Sequence, residues 1–98
     1  MKRLRINPLV VNDLKEIKDY IAEDDPDAAA ETVEAIYKLF EDLQHFPDAG
    51  ADLSRRVSFK TDYKYYLMDN YVIIYRDQKD FIEIYRVVNR YRDITKIF

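Results

Sequence analysis

Apolar residues recur every three to four positions from Val10 to Leu43, and every second position from about residue 57 to Val88. One such switch of period, from helical to extended, constrains the chain more than any other feature. It predicts a helical half followed by a sheet half, and so an α+β arrangement. With 98 residues and no linker, repeat or low-complexity segment, residues 1–98 are expected to form a single domain. A chain this size buries roughly 60–70% of its unfolded surface, enough for a small core.

The helical half is bounded by two proline signals. Lys2-Arg3-Leu4-Arg5-Ile6 alternates, with Leu4 and Ile6 on one side, and reads as a short strand. Asn7-Pro8 ends it and starts a helix, because Asn caps well and Pro is tolerated at the first helical position. Val10, Leu14, Ile17 and Ile21 form the apolar stripe of this helix, while Asp13, Glu16, Lys18, Asp19 and Glu23 are assigned to its outer face. Asp25-Pro26 repeats the signal, and a second helix is expected from about Pro26 to Phe46 with a stripe of Ala29, Val33, Ile36, Phe40 and Leu43. So short a connection makes the two helices antiparallel neighbours. Phe46-Pro47-Asp48-Ala49-Gly50 closes the hairpin with the only glycine.

The remaining pattern predicts strands at Val57–Lys60, Tyr63–Met68, Tyr71–Arg76 and Phe81–Val88. Asp69-Asn70 is a tight-turn pair tolerant of positive φ, and Asp77-Gln78-Lys79-Asp80 is a hairpin loop. Asp93 caps a short final helix ending at Ile97-Phe98. The expected fold is therefore α+β, β-α-α-β-β-β(-β). Its helical hairpin packs on one face of a small, mostly antiparallel sheet.

Charge divides along the same line. Residues 1–50 carry a net of −6 and residues 51–98 a net of +3, and seven of nine tyrosines lie between Tyr63 and Tyr91. The overall −3 argues against a generic nucleic-acid binder. The basic, Tyr-rich half still offers an anionic partner a local face. Arg55, Arg56, Lys60, Lys64, Arg76, Arg86, Arg90 and Arg92 mix there with Tyr63, Tyr65, Tyr66 and Tyr91. Cations position phosphates, aromatic rings stack on unpaired bases, and positioned Lys or Arg can stabilise a phosphorane-like transition state. The same residue types are ordinary on half-buried strands, so this pattern supports an anionic partner, protein or RNA, and nothing finer.

Other chemistries find little footing. There is no cysteine, hence no disulfide, thiol nucleophile or Cys zinc site, which fits a reducing compartment. Glu23-Asp24-Asp25-Pro26-Asp27 reads as helix caps and dipole partners rather than a cation loop. His45, the only histidine, reads as a helix-end residue. No phosphate-cradling glycine loop is present. No apolar run nears the roughly 20 residues of a membrane span, and Met1–Leu9 lacks a signal-peptide core. A soluble cytoplasmic domain is the expectation.

Taken in order, Asn7-Pro8-Leu9, then Asp13-Leu14-Lys15-Glu16-Ile17-Lys18-Asp19-Tyr20-Ile21-Ala22-Glu23-Asp24 and Phe46-Pro47-Asp48-Ala49-Gly50, are followed by Tyr63-Lys64, Asp69-Asn70-Tyr71-Val72-Ile73-Ile74-Tyr75 and Ile84-Tyr85-Arg86-Val87-Val88-Asn89-Arg90-Tyr91-Arg92-Asp93. Over nearly the whole chain this resembles the RelE/ParE superfamily of type II toxin–antitoxin toxins. The resemblance implies a growth-inhibiting toxin held inactive by a cognate antitoxin, which also supplies the DNA-binding part, so direct DNA contact by the toxin is not expected. It implies one of two targets. RelE-like members cleave ribosome-bound mRNA, and ParE-like members poison DNA gyrase. It implies no metal and no organic cofactor.

Carried over residue by residue, the resemblance makes Lys64 and Arg92 the candidate catalytic residues. Arg55, Arg56, Lys60, Arg90 and Tyr91 become candidate contacts to RNA or to a target. Val72 stands where RelE-like nucleases commonly have Arg, Tyr66 where a second Lys occurs, and Phe98 carries no ionisable group. The long helical hairpin leans toward ParE-like members, and by this count the nuclease apparatus is thinned. That thinning also leaves a second reading, a decayed toxin that acts only as a non-toxic antitoxin-binding module.

Overall fold

A computed structural model describes all residues, Met1–Phe98. Strand β1 (Arg3–Ile6) leads into helix α1 (Pro8–Ala22) and helix α2 (Pro26–His45). Short strand β2 (Ala51–Asp52) follows, and then the meander of β3 (Tyr63–Met68), β4 (Tyr71–Asp77) and β5 (Phe81–Asn89). Single turns of 3-10 helix occupy Pro47–Ala49, Leu53–Arg55 and Ile94–Ile97. The five strands lie in the order β1-β5-β4-β3-β2. The meander is antiparallel, and β1 joins its β5 edge in parallel.

Both helix starts form as the proline signals predict. Asn7 Oδ1 accepts from the Leu9 N–H at 2.9 Å. Asp25 Oδ1 accepts from the N–H groups of Asp27 and Ala28, each at 3.1 Å. Each cap satisfies donors that the first turn leaves free, worth about 1 kcal/mol. Asp69, in the turn between β3 and β4, is the one non-glycine residue with positive φ, at 52°.

The main core lies between the hairpin and one sheet face. Val10 and Leu14 of α1 and Ile36, Leu39, Phe40 and Leu43 of α2 meet Ile73, Tyr75, Ile82, Ile84 and Val87. A smaller cluster of Leu53, Val72, Ile74 and Val88 lies on the other face. The 3-10 turns at Leu53–Arg55 and Ile94–Ile97, with Tyr63, Tyr65 and Tyr85, close over it. The sheet is thus covered on both sides, by helices on one and by short turns and aromatic rings on the other.

Two local expectations are corrected. Val57–Lys60 is not a strand. Sheet pairing falls instead on Ala51 and Asp52, opposite Tyr65 and Lys64, and Leu53 dives into the second cluster. Residues 57–60 carry no strand pairing: Phe59 packs on Phe98, and Ser58 and Lys60 are exposed. Asp13 is not on the outer face of α1. It is 5% exposed, because Arg86 and the Val87 N–H reach it from β5. Val11 points outward instead.

A bulge in β5 sets up that contact. Ile84 pairs with Tyr75 but Arg86 pairs with Ile74, so Tyr85 is an extra residue. The bulge shifts the alternation, and Ile82, Ile84 and Val87 all reach the helix-side core while Tyr85 and Val88 face the other side.

Candidate functional site

Strand parity and the hairpin turn sort the basic residues of the second half into three separate places. On β3, Tyr66 and Met68 pack toward the helices, whereas Tyr63 and Tyr65 pack toward the smaller cluster. Lys64 shares the parity of Tyr66, and its Nζ reaches Asp52 Oδ1 at 3.4 Å across the β2–β3 pair. It stands in the Tyr75 row of the sheet.

Arg92 lies beyond the other end, three residues past Asn89, which pairs with Tyr71. Tyr71 and Tyr75 are four residues apart on β4, about 13 Å at the rise of a strand. The structure therefore does not bring Lys64 and Arg92 to one point. Arg92 instead lines a cleft of about 250 Å³ with Glu16, Ile17 and Tyr20 of α1 and Tyr71 and Asn89 of the sheet.

At the base of that cleft is the buried ion pair. Arg86 donates from Nε to Asp13 Oδ2 and from Nη2 to Asp13 Oδ1, both at 2.8 Å, and the Val87 N–H donates to Oδ2 at 3.0 Å. The hydrogen bond to Asp13 raises the Arg86 pKa against the opposing effect of burial. This fork fixes α1 to β5. Sequence reasoning missed it; the signal available was a carboxylate adjacent to the Val10/Leu14/Ile17 stripe and a guanidinium inside an otherwise apolar strand.

Arg56 and Arg90 meet over the smaller cluster. They line a cleft of about 70 Å³ with Tyr65, Leu67, Val72 and Ile94. Arg56 Nε donates to the Tyr65 hydroxyl at 3.1 Å, and its guanidinium lies 5.2 Å from the centre of that ring. Arg90 is held by the Asp69-Asn70 turn. Its N–H donates to the Asn70 carbonyl at 2.8 Å and its Nη1 to the Asp69 carbonyl at 3.3 Å. Neither has a carboxylate within 4.0 Å; the ion pairs are Lys2–Asp77, Lys64–Asp52, Arg76–Glu83 and Arg86–Asp13.

Of the other expected contacts, Tyr91 is 81% exposed beside Arg90, whose guanidinium lies 5.8 Å from its ring. Arg55, in the turn Leu53–Arg55, and Lys60, in the unpaired segment before β3, are both exposed. Val72 is 2% exposed and lines the same cleft. His45 is exposed at the end of α2, with Nδ1 3.0 Å from the Glu41 carbonyl. Beside the cleft, Tyr85 and Phe98 stack at 5.4 Å, and Tyr63 and Phe59 pack on Phe98 at 5.3 and 5.7 Å. Burial raises the pKa of the Tyr63 hydroxyl. This ring cluster was not legible in the sequence, since Phe59, Tyr63, Tyr85 and Phe98 come from four separate segments.

No helix is long and apolar enough to cross a membrane. Among curated proteins, no sequence matches the chain closely enough to count as a relative. Among solved structures, the chain is similar to one from a chromosomal ParDE toxin–antitoxin system of P. aeruginosa. The TM-score is 0.74 at 22% identity, over 91% of this chain and 96% of that one. At that identity the likeness speaks for the fold. The family model of the ParE toxin of the type II toxin–antitoxin system parDE matches residues 4–94, from the first strand to the last 3-10 turn. The chain belongs to the ParE toxin family of type II toxin–antitoxin systems.

Proposed function

We propose that this toxin arrests bacterial growth when free of its antitoxin, and that it acts by binding DNA gyrase in the cytoplasm rather than by cutting mRNA. The observation that carries the reading is the dispersal of the candidate catalytic groups. Cleaving a phosphodiester needs a proton-transfer group and cationic stabilisation at one reacting centre. Here Lys64 is engaged by Asp52 at one end of the sheet, Arg92 lies past the other end, and Val72 is a buried apolar residue. Membership of the ParE family favours the same side.

The cognate antitoxin is the proposed partner of the resting state, as the ParDE pairing of the similar structure suggests. The apolar clefts against the helices, one lined by Leu39, Leu43, Phe46 and Tyr66, are surfaces of the kind such a partner covers.

Induced expression without antitoxin, with transcripts and plasmid supercoiling followed together, tests the reading. Growth arrest with intact transcripts and relaxed plasmid is expected. Transcript cleavage that is lost in Lys64→Ala or Arg92→Ala would overturn it in favour of ribosome-dependent nuclease action. Normal growth at full expression would mark the chain as a non-toxic antitoxin-binding module.

A further inference from the structure

We infer that Arg56 and Arg90 form a carboxylate clamp that captures a single Asp or Glu side chain of the protein the toxin targets. The inference rests on the reading that growth arrest proceeds by protein capture.

The two guanidiniums come from segments far apart in sequence, yet they face one cleft and each is held in place. Arg56 is anchored through Nε on the Tyr65 hydroxyl, and Arg90 through Nη1 on the Asp69 carbonyl at a turn fixed by positive φ. A guanidinium has five N–H donors, and these anchors use one on each side chain. The remaining donors have no carboxylate partner in the chain. Fixing the side chains beforehand lowers the entropy lost on binding.

The cleft is small, about 70 Å³, against the roughly 300 Å³ at which small-molecule pockets begin. Planar guanidinium forks match the carboxylate in geometry as well as charge. The walls supply the second half of the recognition. Leu67, Val72 and Ile94 are apolar, so a side chain that enters with its methylenes packs them while its head meets the two cations. A chain carrying −3 overall would repel an acidic partner except at such a local cationic site.

The test follows the Arg side-chain Nε–Hε signals of the full chain by NMR while N-acetylglutamate α-methylamide, whose only carboxylate is that of the side chain, is added. N-acetylglutamine α-methylamide, which has no carboxylate, and a single-stranded RNA oligonucleotide run in parallel. The clamp predicts that acetylglutamate moves the Arg56 and Arg90 signals along one saturating isotherm and that acetylglutamine does not. Arg56→Gln should weaken this at least about tenfold, while Lys38→Gln, the same charge change on α2, leaves it intact. Arg56→Gln and Arg90→Gln should also lose binding to the purified target while still co-purifying with antitoxin. No saturable shift, equal weakening by Lys38→Gln, tighter response to RNA at the same two arginines, or loss of antitoxin in the arginine variants would each overturn the clamp. A silent titration in a protein that still inhibits gyrase would sink the clamp alone. A clamp that binds acetylglutamate in a protein that leaves gyrase untouched would instead sink the gyrase reading.

Discussion

Replacing Asp13 with alanine should destabilise the fold more than any surface change on α1. The carboxylate is 5% exposed and accepts three hydrogen bonds, two from Arg86 and one from the Val87 N–H. Truncating it strands a guanidinium whose side chain is itself only 13% exposed, and it removes the acceptor of a buried backbone donor. Breaking one side of a buried pair costs about 3–5 kcal/mol. A domain of this size has roughly 5–15 kcal/mol in all. With a urea slope of about 1–3 kcal/mol per molar, the unfolding midpoint should fall by at least about 1 M. Removing both charges separates desolvation from packing. Asp13→Leu with Arg86→Met replaces the pair by apolar groups of similar bulk, a change that is often neutral. The Val87 N–H remains unpaired, at about 1–3 kcal/mol. The double variant should therefore be more stable than Asp13→Ala alone. A loss under about 1 kcal/mol for Asp13→Ala, or a double variant whose loss equals the sum of its single substitutions, would refute the view that this fork ties α1 to β5.

Three further outcomes follow from the same structure. Tyr75 is buried, donates to the Pro47 carbonyl at 2.7 Å and accepts from the Gly50 N–H at 2.8 Å. Tyr75→Phe should cost about 1–3 kcal/mol in denaturant titrations. Burial pushes the Tyr75 hydroxyl up to about 12 from 10.0, so its contribution is complete below pH 10 and is lost as pH rises toward 12, by roughly 3 kcal/mol. Tyr75→Phe should flatten that alkaline decline without abolishing it, since Tyr63 and Tyr71 are raised too. Gly50→Ala should destabilise by about 1–3 kcal/mol, because a Cβ would sit 2.5 Å from the Tyr75 hydroxyl and 2.7 Å from the Tyr65 carbonyl oxygen. Phe98→Ala should cost about 1–2 kcal/mol and loosen the Ile94–Ile97 turn, seen as faster amide exchange there, since its ring packs on Phe59, Tyr63 and Tyr85.

What the sequence made legible was what local chemistry decides. Asn7-Pro8 and Asp25-Pro26 announced both helix starts, and Asp69-Asn70 announced the turn that later holds Arg90. Register and long-range pairing decided the rest. The parallel pairing of β1 with β5 joins the two ends of the chain and leaves no local mark. The bulge at Tyr85 shifts which residues of β5 face the helices, so simple alternation could not assign Arg86 and Val87. Asp13 was assigned to solvent because a carboxylate on a helix usually is, until a buried partner from β5 reverses the balance. For the site, residue type pointed to the basic, Tyr-rich half only as a group. Only parity and strand row separate Lys64, beside Asp52, from Arg56 and Arg90 over the smaller cluster and from Arg92 beside α1.

Gyrase capture is the proposed mode of action of this toxin. The most direct measurement is ATP-driven supercoiling of relaxed plasmid by purified gyrase in the presence of increasing toxin, with a translated mRNA followed in a parallel extract. The account predicts dose-dependent loss of supercoiling and an intact message. Full supercoiling at excess toxin, with the message cut in the extract, would contradict it.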